Sequence, residues 1–189
     1  TSQPTTTVNV GLTASDPSEC MMPAQVTLDE TNWQQGVTVA VNAVDDMLDD
    51  SDQICIVQTA VNSADAHYVG LAAADVTTIV ADDGDTAGVI VGSTVLTVAE
   101  PASSQNFTVV LTSEPTAPIT LTLTPANAQC TATKTLVFTP AEWQTDHLVT
   151  VQAVDDWIVD GVRPCTLDAT VTSADPNYQG IGVTPVAVA

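Results

Sequence analysis

The sequence predicts an all-β chain built as two tandem antiparallel β-sandwich modules, and three observations carry that prediction. Apolar and polar residues alternate in short runs, Val37, Val39, Val41 and again Val149, Val151, which is the period of a strand with one face in a core and the other in water. Turn signals recur every eight to twelve residues with no amphipathic helical stretch between them, the pattern of a sandwich. The third observation is repetition. WQQGVTVAVNAVDDMLDD (33–50) returns as WQTDHLVTVQAVDDWIVD (143–160), 110 positions later. The register reaches outward from there: Cys20 maps to Cys130, Cys55 to Cys165, Asp65 to Asp175, Tyr68 to Tyr178 and Gly70 to Gly180. Upstream of Cys20 the offset becomes 111, a one-residue loop difference between ASDPSEC and PANAQC. A period this long is a whole domain rather than a solenoid turn. It sets module one at residues 1–85 and module two at 86–189.

Taken in order, residues 5–13 alternate as a strand and Ser15 to Ser18 form a turn. Gln25 to Leu28 is a second strand, Asp29 to Asn32 a turn, and Val37 to Val44 a third strand that runs into the acidic loop Asp45 to Asp52. Ile54 to Val61 reads as a strand that places Cys55 against the region of Cys20. Asn62 to Gly70 is a turn-rich connection, Ala74 to Val80 the last strand, and Asp82-Asp83-Gly84-Asp85 closes the module. Gly88 to Val98 and Asn106 to Leu111 then form a hairpin, and from Pro118 the order of module one repeats. Module one has no equivalent of that hairpin, and module two has no equivalent of Asp82 and Asp83. The expectation is a piece of a longer array, or modules completed by neighbouring chains, because an uncovered strand edge is a template for assembly.

Composition narrows the partners. Lys134 and Arg163 stand against 23 acidic residues, a formal charge of -21. Nucleic acid and anionic membrane surfaces both require a basic face and are poor partners. With 44% hydrophobic residues and positive mean hydropathy, the chain is nevertheless a core-forming one rather than an acidic disordered tail. It cannot neutralise its own carboxylates, which leaves bound divalent cations or a screening ionic environment. No stretch is apolar enough to span a membrane, and residues 1–20 hold no signal-like pattern. The four cysteines fall as one equally spaced pair per module, while His67 and His147 sit at non-equivalent positions. Intramodule disulfides, Cys20–Cys55 and Cys130–Cys165, suit that pattern better than metal ligation and imply an oxidising compartment. Each closes a loop of about 35 residues, worth roughly 3–4 kcal/mol of loop entropy.

The opening LTVAEPASSQNFTVVLTSEPTAPITLTL (96–123), the run LVFTPAEWQTDHLVTVQAVDDWIVDG (136–161), the TSADPNYQG segment (172–180) and the DDGDTAG junction (82–88) together resemble the Calx-β family, in particular the Calx-β-like repeats of large bacterial surface proteins. The resemblance covers module two almost completely and module one from its third strand onward. It implies an immunoglobulin-like sandwich with calcium held at one end. Carried over by position, it implies Glu100, Asp155 and Asp156 as ligands in module two, with Asp160 as a further one, and Asp45, Asp46, Asp82 and Asp83 in module one. Neither set is complete within its module, since no Glu in module one matches Glu100. The cysteine pair departs from the family pattern.

Calcium takes six to eight oxygen ligands, largely carboxylates and carbonyls, and a loop with Asp45, Asp46, Asp49, Asp50 and Asp52 supplies several; the plain alternative is a solvated acidic loop. Asp65 and Asp175 lie in Ser-Ala-Asp turns, where the side chain caps local N–H groups. Trp33 and Trp143 read as core anchors over the disulfides. Trp157, which replaces Met47, reads as packed within its loop, the alternative being an exposed aromatic for a sugar or protein partner. No Ser-His-Asp ordering recurs, and the paired carboxylates sit in a hydrophilic loop with nothing apolar to raise a pKa, so an enzyme is not expected. The expected function is a structural module of an extracellular or cell-surface fibre, filament or giant protein, with calcium as cofactor. Its partners would be neighbouring copies, met through strand edges or module ends. The alternative is an adhesin module that recognises glycan or protein through its loops.

Overall fold

A computed structural model describes residues 2–101, 103–159 and 161–189; Asp160, one of the acids singled out above, lies outside them. All regular structure among the described residues is β, arranged in two compact units. Unit 1 comprises Thr1–Asp46 and Asp50–Asp83, and unit 2 comprises Met47–Asp49 and Gly84–Ala189.

Unit 2 is a two-sheet sandwich. Its strands are β7 (Val89–Val91), β8 (Val95–Leu96), β9 (Ser104–Leu111), β10 (Ile119–Pro125), β11 (Cys130–Ala132), β12 (Thr135–Phe138), β13 (His147–Ala153), β14 (Cys165–Ser173) and β15 (Val186–Val188). One sheet runs β12-β10-β14-β15-β8, the other β11-β13-β9-β7. All pairs are antiparallel except the short parallel one of β15 with β8. Alternation does the sorting: β13 shows a strict inward set, with Val149 and Val151 fully buried, between outward Leu148, Thr150 and Gln152. Phe107, Val109 and Leu111 of β9 join them in a core with Leu121, Phe138, Leu167 and Tyr178. The Tyr178 hydroxyl accepts from the Ser113 amide at 3.1 Å and donates to the Ser113 carbonyl at 2.7 Å, so its burial leaves no polar atom unpaired. Residues 47–49 join this unit through a bridge of Leu48 with Glu114 and a bond from the Ala87 amide to Asp49 Oδ2 at 2.8 Å.

Unit 1 has the same plan with one layer reduced. Its strands are β1 (Val8–Ala14), β2 (Cys20–Met21), β3 (Gln25–Leu28), β4 (Asn42–Ala43), β5 (Gln53–Ser63) and β6 (Val76–Val80). The antiparallel sheet β3-β1-β5-β6 matches β12-β10-β14-β15 of unit 2, but the second sheet is only the two-residue pair β2-β4. Disulfides Cys20–Cys55 and Cys130–Cys165 join the two sheets of their respective units, with Cα–Cα distances of 6.2 and 6.1 Å.

The expected strand at Val37–Val44 is corrected here: only Asn42–Ala43 is strand. The reason is a missing ladder partner. In unit 2 the equivalent β13 pairs with β9 from His147↔Val109 to Gln152↔Ser104, and unit 1 has no counterpart of β9 among the described residues. Alternation without a neighbouring strand leaves backbone groups to water and apolar side chains uncovered. Burial shows the same deficit. Val186 on β15 is 1% exposed, whereas Val76 at the matching place on β6 is 55% exposed. Leu121 is fully buried and its match Val10 only half-buried. Trp143 is a core residue as expected, but Trp33 is only half-buried, because unit 1 lacks the layer that would press on it. Trp157 is corrected as well. It is 91% exposed, with a left-handed φ of 64°, and is not packed into its loop.

The Ser-Ala-Asp turns act as local caps. Asp65 accepts from the amides of Thr5 (2.7 Å) and His67 (2.9 Å), and these bonds hold its carboxyl below the ordinary carboxylate range. At Asp175 burial pushes the carboxyl up, but amide bonds from Thr116 (2.7 Å) and Asn177 (2.9 Å) outweigh it and the net direction is down.

Candidate functional site

Unit 1 gathers six of its acids around one cavity. Asp45 and Asp46 follow β4, Asp50 and Ser51 precede β5, and Asp82 and Asp83 follow β6; these segments, with Glu19 just before β2, line a cavity of about 140 Å³. The placement follows from the strands. The β2–β4 ladder and the Val44 amide on the Glu19 carbonyl (2.9 Å) hold Glu19 beside the Asp45-Asp46 pair. Pairing of Gln53 with Val80 brings the end of β6 against the start of β5, and the Asp82 amide donates to Asp52 Oδ1 at 3.2 Å. The disulfide fixes both halves, since Cys20 neighbours Glu19 and Cys55 lies on β5.

Electrostatics in this cavity is one-sided. Among the described residues, no Lys, Arg or His side chain lines it. Burial, then the nearby Asp50, Asp46 and Asp16 carboxylates, pushes the Glu19 carboxyl above its ordinary value. A hydrogen bond between the Asp45 and Asp83 carboxyls, followed by their mutual repulsion, raises Asp45 as well. The lining is therefore a set of hard oxygen donors that destabilise one another's ionised forms, which is the donor chemistry of calcium rather than of zinc or copper. The donors are gathered but not converged: among the described residues no group of three or more His, Cys, Asp or Glu side chains is arranged to hold a metal ion.

Unit 2 builds a different chemistry at the matching place. A cavity of about 420 Å³ is lined by Glu100, Gln129, Arg163 and mostly apolar neighbours including Val98, Val162 and Val188. Gln129 stands where unit 1 has Glu19, and Arg163 where it has Gln53. Asp155 and Asp156 are not among the residues lining it. Instead Asp155 Oδ1 accepts from the Trp157 amide (3.3 Å) and Asp156 Oδ1 from the Ile158 amide (3.0 Å), capping the turn that lifts Trp157 outward. Among the described residues this lining holds one carboxylate, Glu100, and one guanidinium, Arg163.

Sequence reasoning missed Glu19 as a member of the unit 1 set. The signal was available in its position directly before a cysteine whose partner starts at the far side of the acidic loop.

A scan against protein-family models and a search of curated proteins give no match. Among solved structures, the chain is similar to the crystal structure of CBD12 from CALX1.2, with 9% identity, 100% of this chain and 89% of that one covered, and a TM-score of 0.44. It is similar also to the calcium binding domain CBD12 of CALX1.1, at 13% identity, covering 97% of this chain and 86% of that one with a TM-score of 0.43. The D0-D1 domain of intimin follows at 13% identity and a TM-score of 0.29, with 99% of this chain and 81% of that one covered. Likenesses this loose carry no functional argument, and the all-β architecture rests on the ladders of the chain itself.

Proposed function

We propose that the chain is a structural module of an extracellular fibre, filament or large cell-surface protein, stapled by its disulfides and tightened in unit 1 by calcium. The observation that supports this reading best is the acid-lined cavity: Glu19, Asp45, Asp46, Asp50, Asp82 and Asp83 surround it, in a protein with one Lys and one Arg. Asp45, Asp46, Asp82 and Asp83 would hold the ion, with Glu19 and Asp50 beside them. A bound cation would offset the repulsion that raises Glu19 and Asp45, and so tie the loop after β4 to the segment after β6. On this reading residues 1–85 and 86–189 are separate modules. Their partners are neighbouring copies that meet at strand edges or module ends, and their place is outside the cell, where disulfides persist.

The test is a calorimetric calcium titration with thermal melting in calcium and in chelator. Binding to the folded state alone raises stability by about 2.7 kcal/mol at a hundredfold excess over Kd. Asp45→Asn with Asp83→Asn should remove that gain, while Asp155→Asn with Asp156→Asn should keep it. Identical melting with and without chelator at low salt rejects the calcium reading.

The exposed Trp157 favours a second reading, an adhesin module. Trp157 is 91% exposed, with Ile158 (59%) and Val162 (77%) near it in sequence, and an exposed aromatic face of that kind stacks on sugars or anchors a protein contact. Loss of binding to a glycan panel or target-cell surface on Trp157→Ala would support it; no wild-type binding would remove it.

A further inference from the structure

The Cys20–Cys55 bridge and the acid-lined cavity of unit 1 lie along one seam. Cys20 is on β2 and Cys55 on β5, strands of different sheets, so among the described residues no ladder joins them. The acids divide along the same line. Glu19, Asp45 and Asp46 adjoin the β2–β4 pair, while Asp50, Asp82 and Asp83 adjoin the β5–β6 pair. Carboxyl meets carboxyl across the seam, Asp45 against Asp83 and Glu19 towards Asp50. Like charges brought together from two sheets repel, and the sulfur bond is the covalent tie between those sheets. Unit 2 has the same bridge in a different setting. Gln129 precedes Cys130 and Arg163 stands two residues before Cys165, and both line the cavity beside that bridge.

We propose that the Cys20–Cys55 bridge is a redox latch under electrostatic load, holding two acid-bearing edges of unit 1 together against their own charge. Reduction breaks the Sγ–Sγ bond with two electrons and two protons from a dithiol, which leaves as its own disulfide, and yields two cysteine thiols. The carboxylates are then free to part, so their repulsion favours the reduced state. Whatever screens or neutralises them favours the bridge. The coupling is reciprocal: the bond gathers the acids, and the charge of the acids sets how readily the bond is lost. The Cys130–Cys165 bridge, beside a glutamine and a guanidinium, carries no such load. This inference stands on the charges alone and goes beyond the calcium reading, which it does not require.

The experiment uses the full 189-residue chain, with chelator present, at neutral pH in dithiothreitol redox buffers. Acid quenching, alkylation and peptide mass spectrometry read each cysteine pair separately. Equilibrium rather than rate is measured, because all four cysteines are buried. From 10 mM to 0.5 M potassium chloride, the reduction constant of Cys20–Cys55 should fall at least tenfold, about 30 mV for a two-electron couple. That of Cys130–Cys165 should change less than threefold. Glu19→Gln with Asp46→Asn, which empties one side of the seam of most of its charge, should remove the difference between the bridges. Glu30→Gln with Asp75→Asn neutralises two acids away from the cavity and should keep it. Equal salt responses at the two bridges would overturn the proposal, as they would report only the charge of the whole chain. So would a response that survives the Glu19 and Asp46 substitutions, or one that the Glu30 and Asp75 pair removes as well. Calcium binding in calorimetry with no salt response at Cys20–Cys55 would overturn the latch and leave the structural-module reading intact.

Discussion

A single substitution made twice measures how incomplete unit 1 is. Val76 and Val186 occupy the same place on the last strand of their units, facing Val57 and Leu167 across the ladder, and their exposures are 55% and 1%. Val186→Ala removes two fully buried methyl groups. At about 0.8 kcal/mol each, with a cavity left in a packed core, the cost is roughly 2–3 kcal/mol. Val76→Ala removes the same groups from a site less than half covered, with no closed cavity, and should cost about 0.7 kcal/mol or less. Native-state hydrogen exchange along a guanidinium series assigns an opening free energy to each unit separately, so both costs come from one protein. Equal losses at the two sites would refute the reasoning, since they would mean that the Val76 face is covered in solution.

Tyr178→Phe removes the hydroxyl that serves both the amide and the carbonyl of Ser113 and should lower unit 2 stability by about 1–3 kcal/mol in urea titrations; Tyr68→Phe, in a half-buried site, should cost less. Asp175 has a folded carboxyl pulled below its ordinary 3.8. Its contribution is therefore complete above that value and is lost as pH falls through the lower folded one. The acid limb of unit 2 stability should flatten in Asp175→Asn, and an unchanged limb would assign acid sensitivity elsewhere.

The sandwich was legible where both members of each ladder are in the sequence. Alternation marked β1 and β13, and the 110-residue repeat carried β5 over to β14 and showed that whatever one module builds the other attempts. The strand at Val37–Val44 was misread because alternation encodes which side chains want cover, while a ladder requires a partner that alternation cannot supply. Trp157 was misread for a related reason. Its exposure depends on the capped turns of Asp155 and Asp156, which set a left-handed backbone at that residue, and neither is encoded in its hydrophobicity. Glu19 stands more than twenty residues before Asp45 in the chain, and only the β2–β4 ladder reveals that the two share a cavity.

The covalent link between Cys20 and Cys55 has a mechanical consequence. The sequence separation of the two is 35, and the span between them contains the open segment 37–41 and the Asp45-Asp46 pair. A chain pulled from its ends transmits tension through the sulfur bridge and bypasses that span. On the order of 120 Å of contour per module is thereby withheld from extension. Under load, the open segment and the Asp45-Asp46 pair would be shielded rather than the first to be drawn out, and a tether made of such modules would yield less length until its disulfides were reduced.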